Sequence, residues 1–235
     1  MPIHTLSRSD AVEACLALAQ SDCAHQLVTV NSLLLLESEK NPAIKEICRA
    51  ATLVLSDSSG ISWAARVQNR QIPDRFPGVD LAIEIVSRCA AQNLSVFFFG
   101  GAPGVAEQAS DALKRTLPTL KIAGIHHGFL SEANKSQLVD EIRRARPRLI
   151  LVALGMPKQD QWIHDHLGQL PPGLYMGVGG SFDIWSGRAK RAPAFFQRSG
   201  LEWFYRWIQE PQRTPRMLKL PLFAWRVLLE KYRRS

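Results

Sequence analysis

Six short apolar runs, each followed by a segment of helix length, constrain this chain more than any other feature. The runs fall at 26–30, 52–55, 95–99, 122–125, 149–154 and 174–178. They are strand-sized and rich in β-branched or aromatic residues. Segments 10–21, 59–69, 80–93, 104–117, 132–145 and 158–167 are predicted helices. In 80–93, Leu81, Ile85 and Cys89 recur every fourth residue and mark one helix face. Pro118 and Pro147 punctuate helix ends. This alternation predicts an α/β fold: a mostly parallel sheet with helices on both faces.

Sheets of this kind bind ligands at the carboxyl ends of their strands. Small and polar residues are dense there. Thr29 and Asn31 stand at the end of the first run, Asp57 after the second, and the GGAPG turn from Gly100 and Gly101 to Gly104 after the third. His126 and His127 follow the fourth, Gly155 to Gln159 the fifth, and the segment from Gly177 to Asp183 the sixth. Each has a bland reading beside a functional one. The GGAPG turn could bring backbone amides to a phosphate, or be ordinary turn chemistry. Asp57 could be a general base, or the N-cap of the helix that starts near Ser59; Asp183 has the same two readings.

Several chemistries are disfavoured. There is no GxxxxGK[ST], no GxSxG, no full GxGxxG and no DxD, so neither a nicotinamide site nor a dedicated magnesium–diphosphate site is expected. Neighbouring histidines 126 and 127 point opposite ways on a strand, and 164 and 166 do not share a helix face, so no metal is expected. No cofactor is implied. Cys15, Cys23, Cys48 and Cys89 have neither CxxC nor metal spacing, and reduced thiols are expected. No run approaches the ~20 apolar residues of a membrane span, and no signal pattern opens the chain.

Charge placement separates two parts. Of 235 residues, 46% are hydrophobic and 21% charged, which excludes a disordered or fibrous chain. The net charge is +8, but residues 188–235 hold 12 basic and 3 acidic groups, and the preceding 187 hold 17 and 18. A nearly neutral body therefore carries a basic end. That end mixes arginines with aromatics and with Leu218, Leu220, Leu222, Phe223, Trp225, Val227, Leu228 and Leu229. It could be a nucleic-acid arm, a solvated helix face or an interfacial segment. The apolar content favours an anionic membrane surface over nucleic acid.

Together the segments VTVNS, SDSSG, RFPGVDL, FFFGGAPGVAEQA, GIHHGF, PRLILVALGMPKQDQW, GVGGSFDIWSGRAKRAP and GLEWFYRWIQEPQR resemble the WecG/TagA/CpsF glycosyltransferases, glycosyltransferase family 26. The resemblance covers about residues 27–216. It implies a Rossmann-like domain, residues 1–192, and a basic helical appendage, residues 193–235, acting as lid and membrane foot. It also implies an inverting, metal-independent transfer from a UDP-sugar, of N-acetylmannosamine type, to a polyprenyl-diphosphate-linked sugar in cell-surface polysaccharide synthesis. The expected location is cytoplasmic, peripheral on the inner face of the membrane, with homo-oligomerisation left open.

The resemblance further implies roles. Asp57 falls on the family's proposed base. Thr29, Asn31, Arg75, Gln159 and Asp183 fall on substrate positions, and Arg206, Arg213 and Arg216 on arginines that close over the diphosphate. Gly100, Gly101 and His127 complete the expected substrate set. One departure is Ser58, where the family usually has glycine after the aspartate. A serine cannot take positive φ freely, so a differently shaped loop is expected. Two alternatives stand beside this reading: the same chemistry with UDP-glucose or a UDP-uronic acid, and a non-enzymatic nucleotide- or nucleic-acid-binding module.

Overall fold

The computed structural model describes residues 2–70, 75–130 and 132–234, apart from the side chains of residues 132–135, 213, 233 and 234. The six strands are β1 (Ala24–Val30), β2 (Leu53–Ser56), β3 (Ser95–Gly100), β4 (Lys121–His126), β5 (Leu149–Ala153) and β6 (Gly173–Gly177). All pair in parallel, in the order β2-β1-β6-β5-β3-β4. Every predicted run forms a strand at its predicted place, within two residues.

The helices are α1 (Arg8–Gln20), α2 (Ser32–Lys40), α3 (Pro42–Ala50), α4 (Ser59–Val67), α5 (Gly78–Ala91), α6 (Val105–Thr116) and α7 (Glu132–Ala145). They continue with α8 (Lys158–His166), α9 (Ser181–Trp185), α10 (Ala194–Arg198), α11 (Glu202–Gln209), α12 (Thr214–Met217) and α13 (Lys219–Arg234). The helices α2 and α3 had no counterpart among the expected elements. Their signals were present: Asn31 caps α2 by accepting from the Leu33 and Leu34 amides, and Asn41 caps α3 ahead of Pro42 at its first position.

Alternation along the strands sends side chains to two faces. Val96 and Phe98 join α1, α5, α6 and α9 on one face. Phe97 and Phe99 join α7 and α8 on the other, and beside them Val28, Val30 and Val54 meet α2, α3 and α4. The last helix, α13, completes this second face. Phe223 and Val227 are buried against Leu34 and Ile61. Phe223 packs over Gly60, whose lack of a side chain makes room for Ser32: a Cβ there would stand 2.2 Å from Ser32 Oγ. Lys219 pairs with Glu37 at 3.8 Å, and Arg226 pairs with Glu39. The basic end is thus seated on the domain rather than hanging from it. Its outer face stays apolar: Leu218, Leu222, Trp225, Leu229 and Tyr232 are exposed at helical spacing.

Candidate active site

A cavity of about 660 Å³ opens over the carboxyl ends of β2, β1, β6 and β5. Its walls come from the strand ends, from the starts of α4 and α5, and from α11 to α13. Thr29, Asn31, Asp57, Arg75, Gln159, Arg206 and Arg216 all line it. Seven of the expected site residues, drawn from separate parts of the chain, therefore meet in one place.

Asp57 sits one residue past β2, and its amide extends the ladder to Val30 O at 2.8 Å. It is not the cap of α4. That role belongs to Ser58, whose Oγ accepts from the Ile61 amide and whose φ is −118°. At Ser58 the backbone is extended and needs no glycine, and the hydroxyl caps the helix. Asp57 Oδ1 accepts from the Gly78 amide at 2.9 Å. Burial pushes the Asp57 carboxyl up from 3.8 to about 6. The Gly78 amide opposes that rise, Glu202 adds to it, and Arg75 and Arg206 oppose it.

The neighbours divide into groups that face the cavity and groups that hold it. Asn31 spends its Oδ1 on two α2 amides, so only its NH₂ remains to donate. Gln159 is pinned: its Oε1 accepts from the Gly179 amide at 2.9 Å, and Gly177 leaves room for it, since a Cβ there would stand 2.4 Å from Nε2. Arg75 Nη2 donates to Gln197 O at 3.1 Å, and Ser59 Oγ donates to Gly200 O at 2.9 Å. Gly200 has φ +75°, open to glycine and costly to other residues. Arg191 grips Asp80 with both Nη atoms at 2.5 Å, and its Nε faces Glu202 Oε1 at 4.0 Å. These contacts fasten α10 and α11 over the cavity.

A second cavity of about 620 Å³ lies beside the first and shares Gly180 and Arg206 with it. Asp183, Arg188, Lys190 and Gln209 line it. Asp183 is thus placed next to the main cavity. A Cβ on Gly180 would stand 3.7 Å from Asp183 Oδ2 and 3.9 Å from Arg206 Nη2.

Three expected residues lie elsewhere. Gly100 ends β3, Gly101 follows it and His127 follows β4, the two strands farthest from β2, and none of them lines either cavity. The glycine pair has a packing role instead. A Cβ on Gly100 would stand 2.4 Å from Ala153 O, and the Gly101 amide donates to that same oxygen at 2.9 Å, so that amide is used within the protein. His127 Nδ1 accepts from the Phe129 amide at 3.3 Å in a turn. The backbone of Arg213 lies in a 3-10 turn, and its side chain is outside the described residues. Among the described residues no three His, Cys, Asp or Glu side chains gather as metal ligands. Glu202, Trp63 and Ser59 also line the cavity without having been expected there; Glu202 stands one turn before Arg206 in α11, and Ser59 and Trp63 lie in α4, just after Asp57.

The WecG/TagA/CpsF glycosyl transferase family model matches residues 1–235. The chain belongs to this family. It is a glycosyltransferase, and the cavity over β2, β1 and β6 is its candidate active site. The transferase is 33% identical over 202 residues to a protein of Bacillus spizizenii strain W23, covering 86% of this chain and 78% of the relative. It is 32% identical over 203 residues to one of Bacillus subtilis strain 168, with the same coverage. It is 30% identical over 205 residues to one of Staphylococcus aureus strain MW2, covering 87% of this chain and 80% of the relative. All three relatives are named N-acetylglucosaminyldiphosphoundecaprenol N-acetyl-beta-D-mannosaminyltransferase.

Proposed function

We propose that this transferase moves N-acetylmannosamine from its UDP donor to the N-acetylglucosamine of a polyprenyl-diphosphate acceptor, with inversion at the anomeric carbon. The observation that carries this is Asp57, a carboxylate held by one oxygen at the cavity floor, with Arg75 and Arg206 in electrostatic reach. The names of the three relatives support the choice of sugars.

In the proposed step an acceptor hydroxyl attacks the donor's anomeric carbon. Its proton passes to the Asp57 carboxylate as the new C–O bond forms. The bond from the sugar to the diphosphate breaks, and its electron pair leaves with UDP. A single base suffices, because inversion needs no covalent intermediate. Charge growing on the departing diphosphate is met by Arg206 from α11, whose planar fork fits two phosphate oxygens. Arg206 borders both cavities. Its position suits a donor whose diphosphate bridges them, with the nucleotide toward Asp183 and Lys190 and the sugars toward Asp57. Thr29, Asn31 and Gln159 orient the sugars. Arg75, which the sequence placed among substrate contacts, supports the lid through Gln197.

No helix among the described residues is long and apolar enough to cross a membrane. The exposed stripe of Leu218, Leu222, Trp225, Leu229 and Tyr232 supports docking of α13 on a bilayer, and the net positive charge of residues 188–235 supports an anionic one. On such a surface the cavity meets its lipid-linked acceptor.

The decisive experiment offers the purified chain a panel of UDP-sugars with a prenyl-diphosphate-linked N-acetylglucosamine and reads UDP release. UDP-N-acetylmannosamine is expected to exceed UDP-glucose and UDP-uronic acids. Equal turnover of UDP-glucose overturns the choice of donor. Sedimentation with anionic vesicles, but not with neutral ones, is the expected result for the membrane.

A further inference from the structure

The cavity has two unlike halves. One holds Asp57, Arg206 and Arg216; the other is a wall of Leu33, Trp63, Met217, Leu220, Phe223 and Ala224. A sugar nucleotide is polar over most of its surface and matches such a wall poorly, and Trp63 is left 36% exposed. Such an arrangement fits an amphiphile, with an anionic group beside an apolar chain.

We infer that the apolar half is a slot for the first isoprene units of a prenyl diphosphate, lined by Trp63, Met217 and Leu220. The inference rests on the proposed lipid-linked acceptor and adds where its tail runs. Arg216 and Met217 are adjacent in α12, so a phosphate-binding fork and the first apolar contact are one residue apart. Met217, Leu220 and Ala224 then recur at helical spacing over about 10 Å. Phe223, buried against Gly60, closes this wall from beneath. The outer face of the same helix carries Leu222, Trp225 and Leu229 in the open. The slot therefore begins at the anion-binding arginines and ends on a helix whose far side is suited to lipid.

The test is direct binding by titration calorimetry of the full chain, with farnesyl diphosphate below its micelle concentration and with inorganic diphosphate. Farnesyl diphosphate is expected to bind at least about tenfold tighter, from burial of a few methylene and methyl groups. Trp63→Ser and Leu220→Ser are each expected to shrink that preference about tenfold while inorganic diphosphate binds as before. Met217→Ser, at a half-exposed position, serves if either of the others unfolds. Equal affinity for the two probes, or an unchanged preference in the folded variants, overturns the slot. The transfer assay is independent of this measurement. Failure to release UDP overturns the reaction, whereas the prenyl preference stands or falls on calorimetry alone.

Discussion

Gly78 donates its backbone N–H to Asp57 Oδ1 at 2.9 Å. Gly78 opens α5, and the preceding Pro77 gives that helix no side-chain cap. Asp57, 21 residues earlier in the chain, serves as the cap instead. The bond orients the carboxyl and leaves Oδ2 without a hydrogen-bond partner among the described residues, where a substrate hydroxyl can approach.

Asp57→Asn keeps an oxygen for Gly78 but cannot take a proton. UDP release is expected to fall about 10²- to 10⁴-fold. Turnover within tenfold of the parent enzyme removes Asp57 from the role of base.

The same change should stabilise the protein at neutral pH. Burial raises the folded carboxyl to about 6 from an ordinary 3.8. Between those values the folded state holds more protons than the unfolded, so this group's contribution falls as pH rises through about 4 to 6. Above that window the buried charge costs on the order of 3 kcal/mol. Asp160, buried at the start of α8 and pushed up to about 7, extends the slope with the same sign. Urea unfolding of Asp57→Asn should show the gain at pH 7.5 and little of it at pH 4. A loss of stability at pH 7.5 would contradict the buried charge.

Glu202 and Arg206 act on Asp57 in opposite senses. In Glu202→Gln the acid limb of the pH–rate profile should move to lower pH. In Arg206→Gln it should move to higher pH, with an added loss of turnover from the missing diphosphate contact. Shifts in the same direction would show that neither side chain reaches the carboxyl in solution.

Gly200→Ala tests the lid. A Cβ there would stand 2.8 Å from Ser59 Cβ, at a φ of +75° that L-residues rarely adopt. The seam made by Ser59 and Arg75 should open. KM for the donor is then expected to rise at least tenfold, and protease should cut more readily between α10 and α11. Ser59→Gly in the same chain relieves the collision and should restore part of the loss. Kinetics unchanged in Gly200→Ala would mean that the lid does not need this seam.

Phe223→Ala measures how firmly α13 is seated. The ring is buried with Val227 against Leu34 and Ile61. Its removal should cost about 3 kcal/mol of unfolding free energy by urea denaturation. A cost under about 0.5 kcal/mol would mean that α13 is not docked in solution.

The sequence by itself determined the strands. Runs such as SVFFFG bury both faces, and no other element of that length satisfies so apolar a stretch between breakers. It also located Asp57, since polar residues cluster where parallel strands end. It could not separate base from cap, because Asp57 and Ser58 both stand where a helix begins; only the tertiary structure gave the cap to Ser58 and turned Asp57 toward Gly78. Nor could it place Gly100 and His127. They stand at strand ends, as Thr29 does, but the order β2-β1-β6-β5-β3-β4 puts their strands at the opposite side of the sheet. Strand order is set by packing between distant segments, which local spacing does not encode. The same holds for the basic end. Its charge was legible in residue counts, while the seating of Phe223 over Gly60, and with it the apolar wall beside the arginines, was decided by which helix faces met.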